Sequence, residues 1–228
     1  LTQQLAELVN NWPELTEWAG TQITMQCVSV SDRSAQLSSE EQTTMANFAG
    51  LRRSTYSSGR VCAGRALTSL GQRSHSIAAK SDGSARWPDG VIGSISHTDQ
   101  WAIAAAAKLS HVDAMAIGVD LERIKAFTEG VLTLIAGEEE RENLHLHSLS
   151  DEHAVRLFSL KESIYKCLSP VLGEFIRFHD VELLDLSSST PRVVFHSSAL
   201  ETRIEPQKLE LRWRRVAGHM LTLAWLRR

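Results

Sequence analysis

The sequence predicts an α+β fold rather than a doubly wound parallel sheet. Its first half reads as helix followed by strands, and its second as strand, helix and strands, without the regular alternation that a parallel sheet needs. The chain closes on two period-two runs, Leu209/Leu211/Trp213 and Leu221/Leu223/Trp225, separated by Ala217-Gly218, the pattern of an antiparallel hairpin.

Residues 38–71 read as one helical stretch, opening with the capping-box pattern Ser38-Ser39-Glu40-Glu41 and closing at Gly71. Arg52, Arg53, Arg60 and Arg65 on it are candidates for phosphate contacts, and the same residues also describe a solvated helix face. Residues 72–87, with Ser74, Ser76, Ser81, Asp82, Gly83 and Ser84, read as a polar loop. Pro88 and Gly90 mark a turn, Val91 to Ile95 a short strand, and Trp101 to Ala104 the next. His97, beside Ser96, sits where the first of these strands runs out. A histidine there can donate to a phosphate oxygen, or bond a backbone carbonyl as a structural residue.

In Gly118-Val119-Asp120-Leu121-Glu122 the aliphatic residues alternate with the acids. Side chains at i and i+2 share a face, so Asp120 and Glu122 point the same way while Ile117, Val119 and Leu121 enter the core. Two carboxylates on one face repel unless a cation relieves them, and oxygen ligands without Cys or His favour Mg²⁺ over zinc. Alone, the motif is also that of a solvated strand end.

A helix follows. Ser150 or Asp151 is the N-cap, Val155, Phe158, Tyr165 and Leu168 recur at helical spacing, and Pro170 stops the run. Glu162 and Lys166 form an i, i+4 pair on it, which alone describes a surface ion pair. The run Gly137-Glu138-Glu139-Glu140-Arg141-Glu142, followed by His145, His147 and His153, reads as a solvated helix face and loop rather than a metal site.

Composition sets bounds. The 228 residues can bury a real core, and 43% hydrophobic with 22% charged content is ordinary for a soluble protein. A net charge of -3 gives no global drive toward nucleic acid. Cys27, Cys62 and Cys167 are unclustered, which reads as reduced thiols of a cytoplasmic protein. Glu7, Glu14 and Glu17 interrupt the first apolar stretch, so no signal peptide is expected, and no apolar run has the length of a membrane span.

Taken in order, four segments carry a resemblance: Ser58-Gly59-Arg60-Val61-Cys62-Ala63-Gly64-Arg65-Ala66-Leu67; Trp87-Pro88-x-Gly90 running into Gly93-Ser94-Ile95-Ser96-His97; Gly118 to Glu122; and Phe158-Ser159-Leu160-Lys161-Glu162-Ser163-Ile164-Tyr165-Lys166. In these the sequence resembles the 4′-phosphopantetheinyl transferases of the larger, two-lobed type, nearest the siderophore-associated branch that includes enterobactin synthase component D. The resemblance implies two similar lobes, 1–110 and 111–228, each a helix on a small antiparallel sheet and related by a pseudo-twofold axis, with coenzyme A and the metal between them. It implies transfer of the 4′-phosphopantetheine arm of coenzyme A to a serine of an apo carrier-protein domain, with release of 3′,5′-ADP, by a monomer with no nucleic-acid partner.

The residue roles it implies are these. Asp120, Glu122 and Glu162 ligate Mg²⁺, Lys166 and Lys161 contact phosphate oxygens, and Glu162 deprotonates the carrier serine directly or through water. Ser96 and His97 hold the nucleotide phosphates, His97 on the 3′-phosphate, and Arg52 and Arg60 are further phosphate contacts. The family usually shows Arg-x-Pro-x-Trp-Pro before the turn. This chain reads Gly83-Ser84-Ala85-Arg86-Trp87-Pro88, so the basic residue there is displaced, and Arg86 or Lys80 takes its place. The remaining alternatives are another Mg²⁺-dependent nucleotide-pyrophosphate enzyme and a non-catalytic coenzyme A-binding module.

Overall fold

The computed structural model describes residues 12–20, 22–72, 76–81, 83–146, 151–186 and 188–228. Ser74, Asp82, His147 and Ser150, and with them the proposed Ser150 cap, lie outside the described residues. The chain divides into two compact units, Leu1–Asp113 and Ala114–Arg228.

The first unit contains α1 (Trp12–Ala19), β1 (Thr24–Ser29), α2 (Ser39–Thr44), α3 (Gly50–Ser69), β2 (Val91–His97) and β3 (Trp101–Lys108). Its sheet is antiparallel in the order β1-β3-β2. Five of the eight residues of the central strand are alanine, and Ala102, Ala104 and Ala106 receive Cys62, Ala63, Ala66 and Leu67 of α3. Small residues on both surfaces bring the helix close to the sheet. Polar residues on the buried side of α3 are used locally: Ser31 N–H donates to Ser58 Oγ and Arg33 N–H to Ser57 Oγ, tying down the loop after β1.

The stretch 38–71 is two helices, not one. Ser38 caps α2 through the expected reciprocal bonds with Glu41, and Gly71, at φ +69, ends α3 with Gln72 N–H on Leu67 O. Between them the chain turns at Met45–Phe48 and passes through Gly50 at φ +52, a left-handed conformation that interrupts helical hydrogen bonding.

The second unit contains β4 (Ala116–Arg123), α4 (Glu129–Ile135), α5 (Glu138–Leu146), α6 (Asp151–Leu172), β5 (Val181–Leu184), β6 (Arg192–Phe195), α7 (Ser198–Arg203), β7 (Leu209–Val216) and β8 (His219–Leu226). Its main sheet is antiparallel in the order β4-β8-β7, and β5-β6 form a separate ribbon. Ala217 (φ 46) and Gly218 (φ 74) make the two-residue turn of the β7-β8 hairpin, both left-handed as a type I′ turn requires. The units repeat one topology: a strand, a long helix, then a hairpin whose last strand is central. The fold is α+β with small antiparallel sheets.

Pro170 does not stop the helix. It lies inside α6, which runs to Leu172 and ends at Gly173 (φ +71), whose N–H bonds Ser169 O at 2.9 Å. Proline removes one intrahelical hydrogen bond there without ending the helix, and glycine supplies the stop. The faces of β4 also differ from the expectation of one apolar and one polar side. Ile117, Val119 and Leu121 are buried, yet α6 packs on the other face, that of Ala116, Gly118 and Asp120. A Cβ on Gly118 would overlap the Ser163 carbonyl oxygen and fall 2.6 Å from Cys167 N. Glycine there lets the helix lie directly on the strand.

Candidate active site

In the second unit, β4 and α6 bring Asp120, Glu122, Glu162 and Lys166 into one electrostatic neighbourhood. Ser159, Glu162, Ser163 and Lys166 recur along one side of the helix at helical spacing. Asp120 is 1% exposed. Its Oδ2 accepts from Ser159 Oγ at 2.8 Å and its Oδ1 from Lys166 Nζ at 2.6 Å. Thr222 on β8 completes the network, 2.9 Å from Ser159 Oγ and donating to Ser159 O at 2.8 Å. Glu162 is 4.0 Å from Lys166 and half-buried, so this pair is not the exposed ion pair that its spacing alone would describe.

The carboxylates are held under strain of charge. Burial, then the neighbouring Asp120 and Glu162, push the Glu122 carboxyl up to about 7, against the opposing pull of Lys166. Burial raises Glu162 as well, with Lys166 pulling it down and Asp120 adding to the rise. Acids that resist ionisation together are acids that a divalent cation would stabilise. The donor set is all oxygen, which fits a hard cation. Among the described residues no three of His, Cys, Asp and Glu stand together as a ready-made cage, and Lys166 is closed on Asp120.

Lys161 departs from the expected phosphate contact. Its side chain is 2% exposed, and Nζ donates to Glu140 Oε2 at 2.6 Å, Ile135 O at 2.9 Å and Phe178 O at 3.0 Å. All three N–H donors of the ammonium are used in the interior. Desolvation lowers the Lys161 pKa, and Glu140 opposes that shift. Glu140, read from sequence as part of a solvated face, is buried and also accepts from Gly137 N–H and Leu183 N–H at 2.8 Å. Three successive glutamates gave no sign of which one turns inward.

The first unit holds a cavity of about 870 Å³ between α3, the end of β2 and the loop around Lys80. Arg52, Arg60, Lys80 and His97 line it, together with Phe48 and Tyr56. Among the described residues its cations outnumber its one lining acid, Asp99. Lys80 is carried on a short loop closed by the Ala79–Ala85 bridge and by Gly83 N–H on Lys80 O. Ser96 and Arg86 are not among the lining residues. Ser96 is buried and points to the opposite face of β2 from Ile95 and His97, as strand alternation dictates. Arg86 is exposed and stands 3.7 Å from Glu40. Of the two basic residues offered before Trp87, Lys80 is the one in the cavity. Phe48 escaped the sequence reading because its placement depends on the break between α2 and α3, for which Gly50 was the available signal.

Two family models match the chain in succession. The model of the 4′-phosphopantetheinyl transferase N-terminal domain matches residues 40–107, and that of the 4′-phosphopantetheinyl transferase superfamily residues 116–224. The 4′-phosphopantetheinyl transferase Svp of Streptomyces mobaraensis is 34% identical over 182 residues, covering 78% of this chain and 70% of that protein. The chain belongs to the 4′-phosphopantetheinyl transferase superfamily. The transferase Npt of Nocardia iowensis is 32% identical over 153 residues, 65% of this chain and 68% of its own. Enterobactin synthase component D of Salmonella typhi is 36% identical over 125 residues, 52% of this chain and 49% of its own. The first model ends within β3 and the second begins at β4, so each covers the sheet strands and long helix of one unit of this transferase, apart from β1. No helix among its described residues is long and apolar enough to cross a membrane.

Proposed function

We propose that this transferase moves the 4′-phosphopantetheine group of coenzyme A to the serine hydroxyl of an apo carrier-protein domain, of a siderophore or related nonribosomal-peptide synthase, in the cytoplasm. The observation that carries the proposal is the Asp120–Glu122–Glu162–Lys166 cluster, which supplies oxygen ligands and a cation inside the segment matched by the superfamily model.

Asp120, Glu122 and Glu162 would hold Mg²⁺. When bound, the ion supplies charge neutralisation on the diphosphate under attack. Lys166 brings a positive charge to the same diphosphate oxygens, and Glu162 accepts the serine proton, directly or through a water. The serine Oγ forms a bond to the phosphorus that carries pantetheine. The bond from that phosphorus to the bridging oxygen breaks, and 3′,5′-ADP leaves with that oxygen. Arg52, Arg60, Lys80 and His97 of the cavity bind the nucleotide phosphates, His97 on the 3′-phosphate.

Mass spectrometry of an apo carrier domain incubated with the protein, coenzyme A and Mg²⁺ tests this. Addition of a phosphopantetheine mass, with release of 3′,5′-ADP and dependence on the metal, is the expected result. Hydrolysis of the pyrophosphate with an unmodified carrier would instead mark another pyrophosphate enzyme. Binding of coenzyme A with neither product would mark a silent module.

A further inference from the structure

A serine or threonine inside a helix commonly turns its hydroxyl back on its own backbone. Thr68 and Ser69 in α3 donate to the carbonyls four residues earlier, and Ser163 in α6 donates to Leu160 O at 2.8 Å. Ser159, one turn before Ser163 and fully buried, departs from this. Its Oγ reaches off the helix to Asp120 Oδ2, at 2.8 Å. Beside Ser159 stands Thr222, which lies directly opposite Asp120 in the β4-β8 register, on the face of the sheet that meets α6.

Counting protons explains what the threonine does. An ionised Asp120 only accepts, so it takes the one hydroxyl proton of Ser159. Ser159 Oγ then accepts from Thr222, whose Oγ1 lies 2.9 Å from it and 2.8 Å from Ser159 O. That carbonyl, inside a helix, already has the N–H four residues on, so the threonine is not needed to satisfy it. A hydroxyl that accepts is a better donor, and one held from behind does not swing back to its own helix. Asp120 Oδ2 is pinned in this way, and Oδ1 is turned to Lys166 at 2.6 Å, with Glu162 4.0 Å beyond. A carboxylate has about four lone-pair sites, so the hydroxyl orients the group and leaves it able to ligate. Thr222 is itself fully buried between Leu221 and Leu223, in a strand where valine would fill the same space. Resting on the proposed Mg²⁺ site, we infer that Thr222 is a positioning residue: through Ser159 it holds Asp120 in the orientation that ligates the metal.

Thr222→Val keeps the shape and removes the hydroxyl, and Thr222→Ser restores it. Mn²⁺, a paramagnetic stand-in for Mg²⁺, is titrated into each protein with coenzyme A and without carrier. Electron paramagnetic resonance reads the free ion, and thermal melts are run beside it. Thr222→Val should bind Mn²⁺ about threefold to tenfold more weakly, the scale of one neutral hydrogen bond. Its affinity for coenzyme A without metal should match wild type, and Thr222→Ser should recover most of the Mn²⁺ loss. Ser159→Ala should lose about tenfold or more, as partners of metal ligands do. Adding Thr222→Val to Ser159→Ala should then weaken binding no further, because the threonine acts through the serine. Wild-type Mn²⁺ affinity in a folded Thr222→Val, or losses that add in the double variant, overturns the inference, and the threonine then only pins α6 to β8. Unchanged affinity in Ser159→Ala overturns it equally, without need of a folded valine variant. Wild-type protein that binds no Mn²⁺ overturns the metal reading beneath it, and is told apart by needing no variant to see it.

Discussion

Lys166 Nζ stands 2.6 Å from Asp120 Oδ1, so the helix cation closes on the strand carboxylate and not on Glu162, which is 4.0 Å away. The spacing of Glu162 and Lys166 along α6 would suggest their own ion pair. The partner that wins comes from another element, 46 residues earlier in the chain. This joins the two motifs physically: the strand pair and the helix pair are one cluster.

Because Asp120 is buried and accepts from Ser159 and Lys166, an alanine there would take an acceptor from both as well as remove a ligand. Asp120→Asn is the cleaner test, since its amide oxygen can still accept from Ser159. Carrier modification should fall on the order of 10²-fold or more, the scale of removing one preorganised electrostatic contact, with a small change in melting temperature. Near wild-type turnover at saturating Mg²⁺ would remove Asp120 from the proposed ligands.

The Lys161–Glu140 pair makes the opposite prediction, a large effect on stability. Lys161→Met leaves a buried carboxylate without its cation and should cost about 3–5 kcal/mol. Adding Glu140→Gln removes the stranded charge while keeping an acceptor for Gly137 or Leu183, so the double variant should be more stable than Lys161→Met alone. Urea melts of the three proteins decide it. Normal stability in Lys161→Met with lost activity would return Lys161 to the phosphates.

Much of this was legible in the sequence, for physical reasons that also explain the gaps. Strand alternation and the turn chemistry of Ala217-Gly218 are local, and the hairpin follows directly. The Ser38 cap and the Gly71 stop are local too. Glu140 was not legible, because its burial depends on Lys161 and on the backbone of Leu183, contacts far away in sequence. Ser96 and His97 look alike as polar neighbours of a motif, yet the pleat sends them to opposite faces. Applied to β2, period-two reasoning would have separated them. Lys161 and Glu162 are adjacent in the motif, and adjacency on a helix turns them apart.

Glu122 links stability to pH. Its carboxyl rises from 4.5 to about 7, so between those values the native state holds a proton that the unfolded chain has lost. Stability contributed by this group is therefore full at acid pH and declines as pH rises through that window. Melts of wild type and Glu122→Gln from pH 4.5 to 7.5 should diverge, the variant showing the shallower decline. A divalent cation added near pH 7 should raise the wild-type melting temperature and release protons, seen as a buffer-dependent binding enthalpy. Parallel curves for the two proteins would show that folding does not shift the Glu122 carboxyl.

Gly118 and Gly64 make a paired test of how the helices meet their surroundings. Gly118 lies where α6 touches β4, and a methyl group there would collide with the backbone at Ser163 and Cys167, which has no flexible end to move aside. Gly118→Ala should destabilise by about 1–3 kcal/mol, the cost of overpacking, and should move α6 off the strand that carries Asp120. Activity should then fall further than stability explains, because Lys166 and Glu162 travel with the helix. Gly64 lies inside α3 with nothing within 4 Å of an added Cβ. Gly64→Ala should stabilise the protein by up to about 1 kcal/mol through helix propensity, with turnover unchanged. Denaturant melts and carrier-modification rates read both. If the two alanines act alike, the close approach at Gly118 does not set the geometry of the cluster.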